Sequence, residues 1–362
     1  MSVAAQPEFT AEVIRLGAAQ SRACFNCGNC SAICPLAETD SFYPRRLLRY
    51  AQLGAGEKIL ASPGIWLCYH CGQCTSMCPR LADPGEVIMA LRRWAIARYS
   101  WPRPAGRLYT SKMFTFFFYL SAAVFFGLGL VLFHGPVDGE TVRLSLFVPT
   151  RLIEVGGVGL GCFVLGCVAL SLRRMYRHLT TAAPVPVRLG AGDVWRTFLE
   201  EVLIQQRYRQ CEDKTRRWMH LAIVNGFIAL GLTTALAFIF NSGGAPENLP
   251  APIRVLGTLG GIALLGGALV AGWRRLAGRE VFTHFTDWTF LTLLFLAGLT
   301  GLLLEGTAYL NLPPASYTLY AAHLVVVALL ILAAPCTKFA HAAYRFLALC
   351  VARAQTRAQS GK

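Results

Sequence analysis

Six apolar runs, each near twenty residues, restrict this chain more than any other feature of its sequence. They fall at about 113–133, 152–172, 219–240, 253–273, 288–304 and 318–337. A hydrocarbon core is crossed by roughly 20 helical residues, because lipid offers exposed backbone groups no hydrogen-bond partner. The runs therefore predict six membrane-spanning helices. The fifth is short and reaches full length only by extending past its charged ends or by tilting. Residues 1–112 are different in kind, mixed and basic. The fold class is accordingly mainly α, with a helical domain at 1–112, a transmembrane bundle at 113–345 and a tail at 346–362.

The formal net charge of +15 would suggest nucleic acid in a soluble chain. Here the cations flank the apolar runs instead, and no base-stacking motif accompanies them. With residues 1–112 in the cytoplasm, six spans return the C-terminus to the same side. The outer loops then hold only Arg143, Arg151 and Arg254, leaving 31 of the 34 Lys and Arg inside. That asymmetry is the positive-inside pattern. The opening MSVAAQPEFTAEVIRLG has no apolar leader stretch, which agrees. The expectation is a multi-pass protein of the cytoplasmic (inner) membrane with both ends inside. The longest inner loop is 173–217. Its part DVWRTFLEEVLIQQRY reads as an amphipathic helix on the membrane surface, against a partner, or as a solvated linker.

Eight of the 13 cysteines form two runs, Cys24-x-x-Cys27-x-x-Cys30-x-x-x-Cys34-Pro35 and Cys68-x-x-Cys71-x-x-Cys74-x-x-x-Cys78-Pro79. This is the run that ligates two [4Fe–4S] clusters in bacterial ferredoxins. Three thiolates on a tight loop reach one cubane, while the fourth opens a departing helix and reaches the other. Cys24, Cys27, Cys30 and Cys78 are thus expected at one cluster, and Cys68, Cys71, Cys74 and Cys34 at the second. Gly28 and Gly72 follow the second cysteine of each run, where the backbone passes close to sulfide. Zinc is the competing reading, but zinc sites usually pair two separated CxxC knuckles. His70, between Cys68 and Cys71, reads as a surface neighbour. Helices are expected within FYPRRLLRYAQLGAGEKIL and from Pro84 onward. The other cysteines, Cys162, Cys167, Cys211, Cys336 and Cys350, are scattered and form no disulfide framework; Cys162 and Cys167 read as packing residues among glycines.

The membrane half offers histidines. His323 and His341 are 18 residues apart, five turns if one helix carries both, or about 27 Å. One helix would then present an axial haem ligand near each membrane face. His220 opens the third span at the depth of His341, and the two would form a bis-histidine b-type haem site. His323 has no evident partner unless His134 serves, so it reads as a second haem ligand, a quinone contact or a bundle-facing polar residue. His284 is interfacial or an alternative to His220, and His178 a solvated loop residue. Glu154, Asn225 and Asp287 are candidates for proton exchange with a quinone, or interfacial groups. No CxxCH motif is present, which argues against covalent haem attachment. The glycine-rich GTLGGIALLGG favours close helix contact.

With these motifs in place, the N-terminal part resembles the iron–sulfur protein of heterodisulfide reductases, their C-type subunit. The resemblance rests on both cysteine runs, PRRLLRYAQLG and Trp66 before Cys68. The C-terminal part is similar to cytochrome b subunits of the heterodisulfide-reductase and nitrate-reductase gamma type, where His220, His323 and His341 match ligand positions. Their fusion is similar to the C-type subunit family of quinone-interacting membrane-bound oxidoreductase complexes. That resemblance implies two [4Fe–4S] clusters, haem b and quinone as substrate. It further implies flavoprotein partners related to the A-type subunit of heterodisulfide reductase, and exchange with adenylylsulfate reductase in sulfur-linked respiration. The expected function is electron transfer within a larger oxidoreductase, not catalysis by the chain alone. The alternatives are an iron–sulfur anchor or redox sensor without haem, or part of a heterodisulfide reductase-type enzyme. The last is disfavoured because no adjacent cysteine pair occurs.

Overall fold

The structure, a computed structural model, describes residues 6–37, 44–183, 186–210, 213–240, 249–280 and 282–359. Cys211 lies outside them. All regular structure among the described residues is helical. Four helices frame the N-terminal part: α1 (Pro7–Val13), α2 (Pro44–Gln52), α3 (Gly56–Leu60) and α4 (Pro84–Tyr99). Proline opens α1, α2 and α4, where its missing N–H is not needed. Asp83 caps α4, its carboxylate accepting from the Glu86 N–H at 3.2 Å.

Six helices are long and apolar enough to cross a membrane: α5 (Lys112–Phe133), α6 (Thr150–Thr181), α7 (Lys214–Phe240), α8 (Ala251–Leu276), α9 (Phe285–Tyr309) and α10 (Pro313–Ala333). They coincide with the six apolar runs. The short fifth run lengthens by taking in Asp287 and Glu305, one of the two routes expected of it. Glycine sets a close contact between α7 and α8. A Cβ on Gly226 would come within 2.8 Å of the Gly260 carbonyl oxygen, and one on Gly267 within 2.7 Å of Ile223. In lipid, close backbone approach replaces the hydrophobic drive that is missing there.

The structure corrects the single-helix expectation for His323 and His341. After α10 the chain makes a short 3₁₀ turn, Ala334–Cys336, and Thr337 is extended at φ −119° and ψ −166°. It restarts as α11 (Ala340–Gln359). Pro335 supplies no N–H for the helical bond to Ile331, and a proline inside a helix costs about 3 kcal/mol. The break is the cheaper solution. The two histidines therefore sit on different helices, and the five-turn spacing does not describe them.

The expected tail is also different. Residues 346–359 continue α11, and Ala348, Leu349, Cys350, Val351 and Ala354 are buried. Tyr344 of α11 joins Phe9, Leu47, Leu48, Trp66, Leu91 and Tyr99 in one core, together with Met175 and Leu179 from the inner end of α6. The N-terminal domain is thus closed by the end of the chain and by a membrane helix. His178 lies on α6, not in a loop, with its ring 5.7 Å from that of Tyr99. The 191–203 stretch is helical as expected, but it packs on the chain's own α11, through Arg357–Asp193 at 2.8 Å and Arg353–Glu200.

Candidate metal centres

The two cysteine loops are built alike. Gly28 and Gly72 have φ of +95° and +92°, a left-handed turn open to glycine, and each precedes one short helical turn that carries the third cysteine. This places the thiols around two cavities. One is lined by Cys24, Cys27, Cys30 and Cys78, the other by Cys34, Cys68, Cys71 and Cys74. These are the crossed sets expected from the motif. The two cavities are alike in size and in lining, as two sites for the same kind of occupant would be. Among the described residues, no three His, Cys, Asp or Glu groups converge on a single ion. Thiols spread around a void suit a polynuclear cluster and not one zinc. Backbone amides point at the sulfurs: Asn26 N–H to Cys24 Sγ at 3.4 Å, His70 N–H to Cys68 Sγ at 3.3 Å, and Ala82 N–H to Cys78 Sγ at 3.4 Å. Such donors stabilise thiolate and help set cluster potential. Burial pushes the Cys34 thiol up to about 11, with neighbouring thiols adding to it. Cys68 and Cys74 are raised for the same leading reason. The charge of bound iron is what such sites require.

The second cavity is the one tied to the membrane helices. Arg92 of α4 and Arg345 of α11 both donate to the Cys68 carbonyl, at 2.7 and 2.8 Å. Arg216 of α7 donates to the His70 carbonyl at 2.6 Å. His70 is therefore no surface neighbour: it lines this cavity and is held against Arg216. Burial, then the Arg216 charge, push its imidazole down to about 3.

The inner histidines meet at the same place. His341 stacks on Trp66 with ring centroids 6.1 Å apart, and Trp66 is fully buried two residues before Cys68. His220 stacks on Tyr208 at 5.1 Å, and Tyr208 lies 6.3 Å from Tyr69. Burial, then the charges of Arg92 and Arg345, hold His341 well below the usual imidazole range, and His220 is close enough to add to the effect. Neutral imidazole is the form that binds iron. The His220 Nδ1–H donates to Gln205 Oε1 at 2.9 Å, which leaves Nε2 with its lone pair. Gln205 is buried at φ +52° in the inner loop, a role that no motif announces. Nδ1 of His341 and Nε1 of Trp66 are buried without a hydrogen-bond partner. Two imidazoles from separate helices, one with an unpartnered ring nitrogen, fit a bis-histidine haem.

His323 is in other surroundings. Thr300 Oγ1 donates to the Leu296 carbonyl at 2.7 Å and so accepts from His323 Nδ1–H at 2.9 Å. Gly301 makes room for the ring, since a Cβ there would lie 3.1 Å from its Cε1. Glu305, one turn further on α9, accepts from Thr258 Oγ1 at 2.8 and 2.9 Å, an intramembrane carboxylate that no motif singles out. His134 is exposed and donates to its neighbouring Gly135 carbonyl at 2.7 Å. His284 caps α9 beside Asp287, in contact with Tyr109 and Phe282, and Asp287 pairs with Lys338. Asn225 donates to the Leu203 carbonyl at 3.2 Å. Cys167 is buried and Cys162 exposed along α6.

Comparison with known proteins now adds weight. Residues 20–81 match a 4Fe–4S dicluster domain, and residues 115–362 match the family described as citrate utilization protein B. The second match covers more than half of the chain. The chain belongs to the citrate utilization protein B family. That description names neither haem nor quinone. The N-terminal part is 39% identical over 92 residues to a protein of Archaeoglobus profundus described as similar to the C-type subunit of heterodisulfide reductase, covering 25% of this chain and 49% of that one. It is 30% identical over 60 residues to the C-type subunit of an H(2):CoB-CoM heterodisulfide,ferredoxin reductase of Methanothermobacter thermautotrophicus, covering 17% and 32%. The chain thus spans half or less of the curated relatives it matches. A 4Fe–4S dicluster domain related to electron-transferring proteins is joined here to a membrane helical bundle.

Proposed function

We propose that this chain carries electrons between a membrane quinone and a soluble redox partner, with its cysteine loops and C-terminus on the cytoplasmic side. The carrying observation is the contact of His341 with Trp66, backed by the Arg345 bond to the Cys68 carbonyl. It joins a candidate haem ligand and a candidate cluster ligand in one buried unit. Two [4Fe–4S] clusters and a b-type haem supply one-electron storage when bound. Cys24, Cys27, Cys30 and Cys78 hold one cluster; Cys34, Cys68, Cys71 and Cys74 hold the other; His220 and His341 hold the haem. Gln205 fixes the tautomer and tilt of His220. Arg92 and Arg345 fix the Cys68 loop against α11, while Trp66 and Tyr208 keep water out. His323, with Nε2 unprotonated and Thr300 on Nδ1, is placed to accept a quinol hydroxyl proton or to serve as a further axial ligand.

Similarity to the iron–sulfur protein of heterodisulfide reductases supports a flavoprotein of their A type as partner; adenylylsulfate reductase and sulfur-linked respiration rest on the resemblance of the fused chain to the C-type subunit family of quinone-interacting oxidoreductase complexes. The family description supports a second reading, a partner that oxidises citrate or a related carboxylate. The deciding experiment is iron and haem per purified chain, with a quinol-reduced minus oxidised spectrum. About eight non-haem irons per chain would match two [4Fe–4S] clusters; a reducible b-type haem alongside them would complete the reading. Iron without haem would reduce the membrane half to an anchor.

A further inference from the structure

The cavity lined by Cys24, Cys27, Cys30 and Cys78 opens on a surface that carries exposed apolar side chains beside arginines. Phe25, Met77 and Leu81 are 70%, 57% and 79% exposed around it. Phe25 is held beneath Arg80, whose guanidinium lies 4.2 Å from the ring centroid. Arg45 lines the same cavity, and an adjoining groove is lined by Arg45, Arg46, Arg49 and Tyr50. Over residues 20–37, 44–52 and 72–82 the sequence has five arginines and no Asp or Glu; the acids next to these segments along the chain are Glu38, Asp40 and Asp83, the last of them tied up as the cap of α4. The lining of neither cavity comes from the membrane helices, but the loop of the other is held by Arg216 of α7 and by Arg345 of α11.

We infer that this face is the docking surface for the soluble redox partner, and that the partner presents an acidic rim around an apolar patch at its own cofactor. The inference rests on the electron-transfer reading above. Apolar side chains exposed to water in a group mark an interface. A one-sign charged rim steers an oppositely charged protein and raises the association rate steeply at low salt. The cysteine set behind this face is the one remote from the histidines, so it is where electrons enter or leave the chain.

The test uses the full chain in detergent, with an acidic flavodoxin in its reduced form as probe. Basic cytochrome c is the opposite-charge control, and dithionite the reductant that requires no docking. Transfer from flavodoxin to the clusters is followed by stopped flow between low and high salt. The double variant R46E/R49E, at arginines that line the adjoining groove and not the cluster cavity, should lower the second-order rate about tenfold or more at low salt, as expected for loss of steering. It should flatten the salt dependence and speed exchange with cytochrome c. Dithionite reduction and iron content should stay unchanged. Leu81→Ser, at an exposed side chain outside the cavity lining, should raise the flavodoxin concentration at half-maximal rate and leave the limiting rate alone. Equal salt dependence in variant and parent would overturn the proposal. A difference that disappears on reconstitution into vesicles rich in phosphatidylglycerol would also overturn it, by placing the arginines on lipid headgroups. Quinol reduction of the clusters, measured separately, fails only if the electron-transfer reading itself is wrong.

Discussion

The two ends of the membrane bundle treat histidine differently. At the end that meets the cysteine domain, His220 and His341 come from separate helices into one half-buried, aromatic-walled space against the Cys68 loop. At the outer half, His323 is met by a threonine and a glycine of the neighbouring helix. The inner pair depends on three parts of the chain far apart in sequence: the 205–208 turn, the start of α7 and the restarted α11. The outer residue depends on one helix contact. A ligand site for a large cofactor needs convergence from several elements, which among the described residues His220 and His341 have and His323 does not.

Substitutions can break this contrast. His220→Ala or His341→Ala should abolish the inner b-type absorption, whereas His323→Ala should leave it. The reverse outcome, read from reduced-minus-oxidised spectra, would invert the comparison. Next in size, Asp287→Asn leaves the half-buried Lys338 without its counter-charge. Loss of one partner of a fully buried pair costs about 3–5 kcal/mol, and the exposure of Lys338 to solvent brings the cost below that range, so thermal unfolding in detergent should fall, and Asp287→Asn with Lys338→Met should recover part of it. Gln205→Leu keeps His220 but frees its ring; by analogy with metal sites, haem retention should drop about 10- to 100-fold. Gly301→Ala crowds His323 and should cost about 1–3 kcal/mol without changing the inner absorption.

The smallest effect is one of pH. Glu86 pairs with Arg93 at 2.5 Å, yet burial raises its carboxyl to about 7. The folded state then holds this proton more tightly than the unfolded one. Its contribution is present in full below about pH 4.5 and is lost as pH rises through 7. Glu86→Gln should flatten stability over that window. An unaltered pH profile would mean that Arg93 already keeps Glu86 ionised.

Much of the architecture was legible in the residues. Hydropathy located all six long helices, because the bilayer imposes a length that composition alone reports. The crossed cysteine sets were legible because the short spacing within each run leaves the chain few ways to arrange its thiols. The helix break was legible too, at Pro335, but the whole-turn spacing of His323 and His341 points straight across it. Gln205, Tyr208 and the place of His70 had no such signal.

By itself, then, the sequence determined the elements whose physics is local: the spans, the proline-opened helices and the two loops of closely spaced cysteines. Only the tertiary structure decided which cavity faces the membrane helices, that α11 closes the soluble core, and that His341 reaches Trp66. Those outcomes depend on long-range packing, in which residues far apart in the chain share one buried space. No periodicity within a single segment encodes that meeting.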